Sequence, residues 1–243
     1  MHDFKEYDFI NSINFINKTI FITGTPGVGK TTIATELYKK LAKNYICTLI
    51  KINDLAIEND LIDGEDLKKG YKIINIDKLD KKLNFTIDSF FNHKIDSNEL
   101  DNNLNNLDNN SNNLNNLNNL DNLNELDNNS NDLKIAIIEG HLSHLCKIND
   151  HTDEVIVLRL NPEVLEKRLK SRQYSKFKIK ENLEAEALAV CSVEAYENHG
   201  EKVNEIDTTN LDIEKVLAIV EGILFNEDKY PVGNIDFIQW ILK

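Results

Sequence analysis

The chain has 243 residues, enough for one large domain carrying an insertion and a substantial core. Its hydrophobic fraction of 41% is ordinary for a globular protein, and its formal net charge of −13 argues against sequence-independent nucleic-acid binding, which needs a positive field. No stretch is long and apolar enough to span a membrane, the first residues lack the apolar run of a signal peptide, and Cys47, Cys146 and Cys191 form no Cys-x-x-Cys pair. A reduced, cytoplasmic protein with no membrane contact is the expectation.

Residues 1–17 read as an N-terminal extension, with a helical turn or two around Phe4, Phe9 and Ile13. The main domain is expected over 18–243. It opens with the β-branched, apolar run Thr19-Ile20-Phe21-Ile22-Thr23, a strand. Gly24-Thr25-Pro26-Gly27-Val28-Gly29-Lys30-Thr31-Thr32 follows, in which Gly24, Gly29, Lys30 and Thr31 fill G-x-x-x-x-G-K-[ST], the phosphate-binding loop. Its glycines let backbone N–H groups turn inward around an anion, and the helix starting near Lys30 adds its positive dipole end. Lys30 carries a point charge to the β- and γ-phosphates, and the Thr31 hydroxyl suits Mg²⁺. ATP and Mg²⁺ are therefore the expected ligands. Ile33, Leu37 and Leu41 recur every four residues, predicting a helix to about Lys43, and residues 45–50 read as a second strand. Strand, helix, strand implies a parallel sheet.

From Asn53 to Phe91 the pattern is mixed. Asp54-Leu55-Ala56 starts a short helical stretch, Asp63-Gly64 marks a turn, Tyr71 to Ile76 reads as extended, and Ile76 to Leu83 as another helix. Residues 51–74 lie where phosphate-loop kinases insert the segment that binds the acceptor nucleotide. Residues 92–132 differ in kind, being dominated by Asn with Leu, Asp and Ser. Asn competes with the backbone for hydrogen bonds, and the three-residue leucine steps from Leu114 to Leu126 drift around a helix. A disordered low-complexity insertion is favoured over a marginal helix, and no chemistry is assigned to it.

Leu133 to Ile138 is an apolar strand ending in Glu139-Gly140-His141. An acid at such a strand end sits beside the phosphate loop and can hold Mg²⁺; the alternative is a solvated strand-end carboxylate. His141 either faces the γ-phosphate or caps the loop. Glu154 to Leu160 is another buried strand, and Asn161-Pro162 begins a helix, with proline where its missing N–H costs nothing. Arg168 and Arg172, four apart, share a face of that helix. They either clamp phosphate oxygens opposite Lys30 or pair with Glu163 and Glu166. Gln173 to Lys178 reads as a basic loop, Ile179 to His199 as one long helix, Val203 to Asp207 as a last strand, and Asp212 to Phe225 as a last helix. A tail packs through Phe237, Ile238 and Trp240.

The phosphate loop, Glu139-Gly140-His141, the run Val157 to Pro162, Glu166 to Tyr174, Lys178 to Ala187 and Glu205-Ile206-Asp207-Thr208-Thr209 together resemble the archaeal and eukaryotic-nuclear type of adenylate kinase, relatives of a yeast ribosome-assembly ATPase. The resemblance implies an α/β phosphate-loop nucleoside monophosphate kinase fold, a parallel sheet flanked by helices, with an acceptor segment at 51–74 and a short lid at 171–181. It implies ATP contacts from Gly27, Gly29, Lys30, Thr31, Thr32 and Arg172. It implies two activities, broad-specificity nucleoside monophosphate phosphorylation (ATP + AMP = 2 ADP) and a slower ATPase. It also implies a role in late maturation of the small ribosomal subunit and its rRNA, through a small-subunit ribosomal protein of the S11 type on the pre-ribosomal particle. Three positions depart from the family pattern: Glu139 replaces Asp, Gln173 replaces Gly, and Ile57 stands where an arginine is expected.

In the kinase, Lys30 and Mg²⁺ hold the β/γ bridge, with Mg²⁺ between Thr31 and Glu139, and Arg172 with Arg168 or Arg159 stabilises the transferring group. The alternative is primarily an ATPase assembly factor with little kinase activity, in which His141 positions water and the acidic surface meets a basic ribosomal protein.

Overall fold

The computed structural model describes residues 17–66, 71–92, 133–148, 152–225 and 228–242. The expected extension at 1–17 and the Asn-rich segment at 92–132 lie outside them, apart from Asn17 and Asn92.

Five strands form one parallel sheet: β1 (Lys18–Thr23), β2 (Ile46–Lys51), β5 (Lys134–Glu139), β6 (Glu154–Arg159) and β7 (Val203–Asp207), in the order β2-β5-β1-β6-β7. Both faces are covered, as a parallel sheet requires. The strands alternate to serve two layers: Ile20, Ile22, Ile135, Ile137, Ile156 and Leu158 face one, and Phe21, Ala136, Ile138, Val155 and Val157 the other. On the first face lie α1 (Lys30–Leu41), α4 (Pro162–Ser171), α5 (Lys176–Ala187) and α7 (Ile213–Leu224). On the second lie α2 (Ile52–Glu58), α3 (Ile76–Asn92) and α6 (Val190–His199). Each buried Leu or Ile contributes about 1.5–3 kcal/mol, so these two layers are the main source of stability.

The phosphate loop, the β5 end and the β6 end all fall at the carboxyl edge of the sheet, flanking the central strand β1. Ligands of open α/β sheets bind at that edge. Four expectations are corrected. Asp63-Gly64 is no turn: both residues lie in β3 (Ile62–Asp66), which pairs antiparallel with β4 (Tyr71–Ile74), and the register shifts between Ile62 and Gly64. An isolated glycine inside a strand marks such a bulge. The helix read to Leu83 continues to Asn92, because Leu79, Leu83 and Ile87 bury one continuous stripe.

The single helix expected over 179–199 is two. It breaks at Leu188-Ala189, where Ala189 takes φ +55°. The reason is topological: Ile179 and Leu183 of α5 pack on one face of the sheet, Ala195 of α6 on the other. A straight helix cannot cross from one face to the other. The basic loop is also shorter than read, since Ser175 caps α5 by accepting from the Lys178 N–H and Lys176 is already helical.

Candidate active site

The loop after β1 turns on glycine. Gly24 has φ +131°, and a Cβ there would run into the carbonyl oxygen of Leu158; Gly29, at φ +116°, is the N-cap of α1. Only glycine combines that backbone with that close an approach. Lys30 opens α1 with its side chain folded back over the loop, Nζ donating to the Thr25 carbonyl at 3.0 Å. It is 8% exposed. Burial pushes its ammonium down to about 8, against the opposing pull of Cys191, Glu139 and Glu186. So dry a cation, hydrogen-bonded to a carbonyl, fits an anionic ligand.

One residue on, the Thr31 hydroxyl donates to Glu139 Oε1 at 3.1 Å. The sheet register makes this pair: Ile22, last but one in β1, lies beside Glu139, the last residue of β5. A hydroxyl and a carboxylate are hard oxygen donors of the kind Mg²⁺ takes, the rest of its shell being water and substrate phosphate. Among the described residues no three His, Cys, Asp or Glu gather as a metal cluster. Glu139 is buried at the loop, and the solvated strand-end acid weighed from sequence is not what the fold contains.

His141 is half-buried, and burial, with Lys30 and His144 adding, pushes it down to about 4, so it is neutral at pH 7. No local signal in the sequence marks His144. It is buried, with Nδ1 on the Thr23 hydroxyl at 2.7 Å and Nε2 on Glu194 at 3.0 Å. It ties the end of β1 to α6.

Arg168 and Arg172 stand where α4 ends. Arg168 Nη1 donates to the Val28 carbonyl at 3.1 Å, gripping the phosphate loop from outside. Glu166 pairs with Lys170 at 2.8 Å, not with an arginine. Arg172 is exposed, and together with Gly27, Gly29, Lys30, Thr31 and Thr32 it lines one concavity. The candidate ATP contacts thus share a single depression.

Arg159 does not reach it. This guanidinium is 1% exposed, with Nε on Glu186 at 2.8 Å, Nη2 on the Glu186 carbonyl at 2.7 Å, Nη1 on Glu205, and the Phe237 ring 5.3 Å away. Burial alone would lower its pKa, but the two carboxylates raise it overall. Its expected contact with a transferring phosphoryl group is therefore corrected: it is a buried ion-pair centre. An arginine closing the apolar run Val155 to Leu160 was the available signal, since a buried charge needs a partner. Ile57, in the acceptor segment, is exposed on α2.

Comparison with known proteins agrees with this architecture. A family model described as an AAA domain matches residues 20–189. A protein of Methanothermobacter thermautotrophicus, named "Putative adenylate kinase", is 36% identical over 223 residues, 92% of this chain and 99% of its own length. The protein of the same name from Methanococcus maripaludis is 32% identical over 225 residues, 90% of this chain and 95% of its own. Among solved structures, shikimate kinase from Acinetobacter baumannii in complex with shikimate matches at a TM-score of 0.46 and 10% identity, over 87% of this chain and 95% of that one, a likeness that carries no argument. The chain belongs to the archaeal adenylate kinase family, phosphate-loop proteins of the kinase type.

Proposed function

We propose that the chain is a nucleoside monophosphate kinase of broad acceptor specificity that moves the γ-phosphoryl group of ATP to AMP, giving two ADP. The observation that carries this is the single depression lined by Gly27, Gly29, Lys30, Thr31, Thr32 and Arg172, with Glu139 bonded to Thr31 beside it. The acceptor phosphate is already ionised, so no strong base is needed, and catalysis is positioning and charge neutralisation. Loop N–H groups and Lys30 hold the β- and γ-phosphates. Thr31 and Glu139 would hold Mg²⁺, which would supply charge neutralisation to the nucleotide phosphates. Arg172, in the lining of the same depression, adds positive charge for the transferring group, and Arg168 keeps the loop in place through the Val28 carbonyl. Replacement of Lys30 by alanine should abolish ADP formation from ATP and AMP while leaving the protein folded; ADP formation that survives the substitution refutes the assignment.

A second function rests on the shortness of the connection between α4 and α5, the four residues Arg172 to Ser175. So short a lid excludes water poorly, and water reaching the γ-phosphate is hydrolysis. Neutral His141 is suited to accept a hydrogen bond from that water. On this account the protein is also an ATPase that binds and releases a basic small-subunit ribosomal protein of the S11 type during maturation of the pre-ribosomal small subunit and its rRNA. The family resemblance and the net charge of −13 support it. ATPase stimulated by such a protein, and indifferent to AMP, is the measurement that separates the two.

A further inference from the structure

We propose that Glu186 is a positioning residue for the phosphate loop: its carboxylate ties Thr25 in the loop to the buried Arg159, and so fixes the carbonyl from which Lys30 is aimed at the phosphates. This rests on the nucleotide-binding part of the function proposed above.

The geometry is a chain of buried contacts. Glu186, 1% exposed, sits one residue from the end of α5. Its Oε2 accepts from the Thr25 hydroxyl at 2.5 Å. Its Oε1 accepts from Arg159 Nε at 2.8 Å and from the Leu160 N–H at 3.0 Å. The carbonyl of the same Thr25 accepts from Lys30 Nζ. Thr25 is thus held by its side chain on Glu186 while its backbone holds Lys30. The helix that carries Glu186 begins at Lys176, four residues past Arg172, which lines the depression.

Charge balance separates this from a purely structural ion pair. Glu205 already lies against Arg159, and it also accepts from Ser192 Oγ at 2.6 Å and from the Gly233 N–H at 3.1 Å. One carboxylate neutralises one guanidinium. The two carboxylates together therefore carry one buried negative charge more than Arg159, and such a charge is costly unless another cation answers it. The cation on the other side of Thr25 is Lys30. The groups that face Lys30 are Glu139 from β5, Glu186 from α5, Cys191 from α6, Arg172 after α4, and His141 after β5. Among them Cys191, Glu139 and Glu186 favour the charged ammonium; of the two carboxylates only Glu186 is bonded to Thr25, which also meets the Cys191 thiol.

The test uses the full chain, Mg²⁺ and N-methylanthraniloyl-ATP as the fluorescent probe, with binding measured at about pH 7. Thr25→Val should weaken binding roughly tenfold, the scale of one charge-assisted hydrogen bond. Thr25→Ser, which restores the hydroxyl, should recover most of the loss. Glu186→Gln, which keeps the shape and removes the charge, should weaken binding by a similar factor. Thr25→Val or Glu186→Gln binding as tightly as the wild type, or Thr25→Ser binding no better than Thr25→Val, overturns the proposal; if Glu186→Gln fails to fold, the Thr25 pair decides alone. A wild type that binds the probe yet makes no ADP from ATP and AMP refutes the kinase and leaves Glu186 in its role. A wild type that does not bind the probe overturns both.

Discussion

Thr31 at the start of α1 and Glu139 at the end of β5 meet at 3.1 Å, hydroxyl to carboxylate, across the carboxyl edge of the central strand. Glutamate reaches the hydroxyl here in a position where the resembled family carries aspartate. The longer arm is accommodated because Glu139 is the last residue of its strand and lies beside Ile22 rather than beyond the loop. Glu139→Gln keeps the size and removes the charge. Turnover should fall roughly a hundredfold, the scale of losing one preorganised electrostatic contact, and the Mg²⁺ concentration for half-maximal rate should rise. A Mg²⁺ titration of ADP formation checks it; an unchanged half-maximal concentration removes Glu139 from the metal site.

Lys30 weakens the ligand-free fold in order to serve the ligand. Its pKa drops from 10.5 to about 8 on burial. A lowered base binds fewer protons folded than unfolded between those two values, so its stability penalty is full below about pH 8 and vanishes as pH rises past 10.5. Lys30→Met should therefore be more stable than the wild type at pH 7 without nucleotide, by about 2 kcal/mol after allowance for the lost bond to Thr25, with the gap closing between pH 8 and 10.5. Urea unfolding at pH 7 and pH 10 measures both ends. A variant less stable at both would contradict the assigned burial cost.

Gln173 follows Arg172 with φ +58°, in the left-handed region. The resembled family has glycine there, and the backbone has kept the glycine conformation under a side chain. That geometry costs roughly 1–2 kcal/mol for an L-residue, partly offset by the freedom glycine adds to the unfolded chain. Gln173→Gly should raise stability by about 0.5 kcal/mol, and Gln173→Val, β-branched at the same φ, should lower it by about 1 kcal/mol or more. Thermal melts of the pair give the signs; Val more stable than Gly would mean that the strain is absent.

The parts legible in the sequence are those whose signal is local. The phosphate loop is nine consecutive residues, four of the five core strands are short, largely apolar runs, and the α4 start is announced by Asn161-Pro162, with the Asn161 side chain accepting from the Glu163 N–H. Arg172 was legible because it lies one helical turn past Arg168. What escaped is what depends on distant partners. Glu186 reads as one of several glutamates on an acidic helix, and nothing nearby shows that it meets Thr25, 161 positions away. Arg159 was placed among candidates for the phosphoryl group because its carboxylates, Glu186 and Glu205, lie 27 and 46 residues on. The break at Ala189 carries no glycine or proline to mark it, since it is imposed by the need to pass from one face of the sheet to the other.

The central claim, phosphoryl transfer to a nucleotide at the depression between Lys30 and Arg172, is tested most directly by following ADP and free phosphate together, with purified protein and Mg-ATP, in the presence and absence of AMP. The account predicts that ADP rises steeply when AMP is added, two molecules for each ATP consumed, with no matching rise in free phosphate. Phosphate release equal to ATP consumption and unaffected by AMP would contradict it and leave hydrolysis as the chemistry of the site.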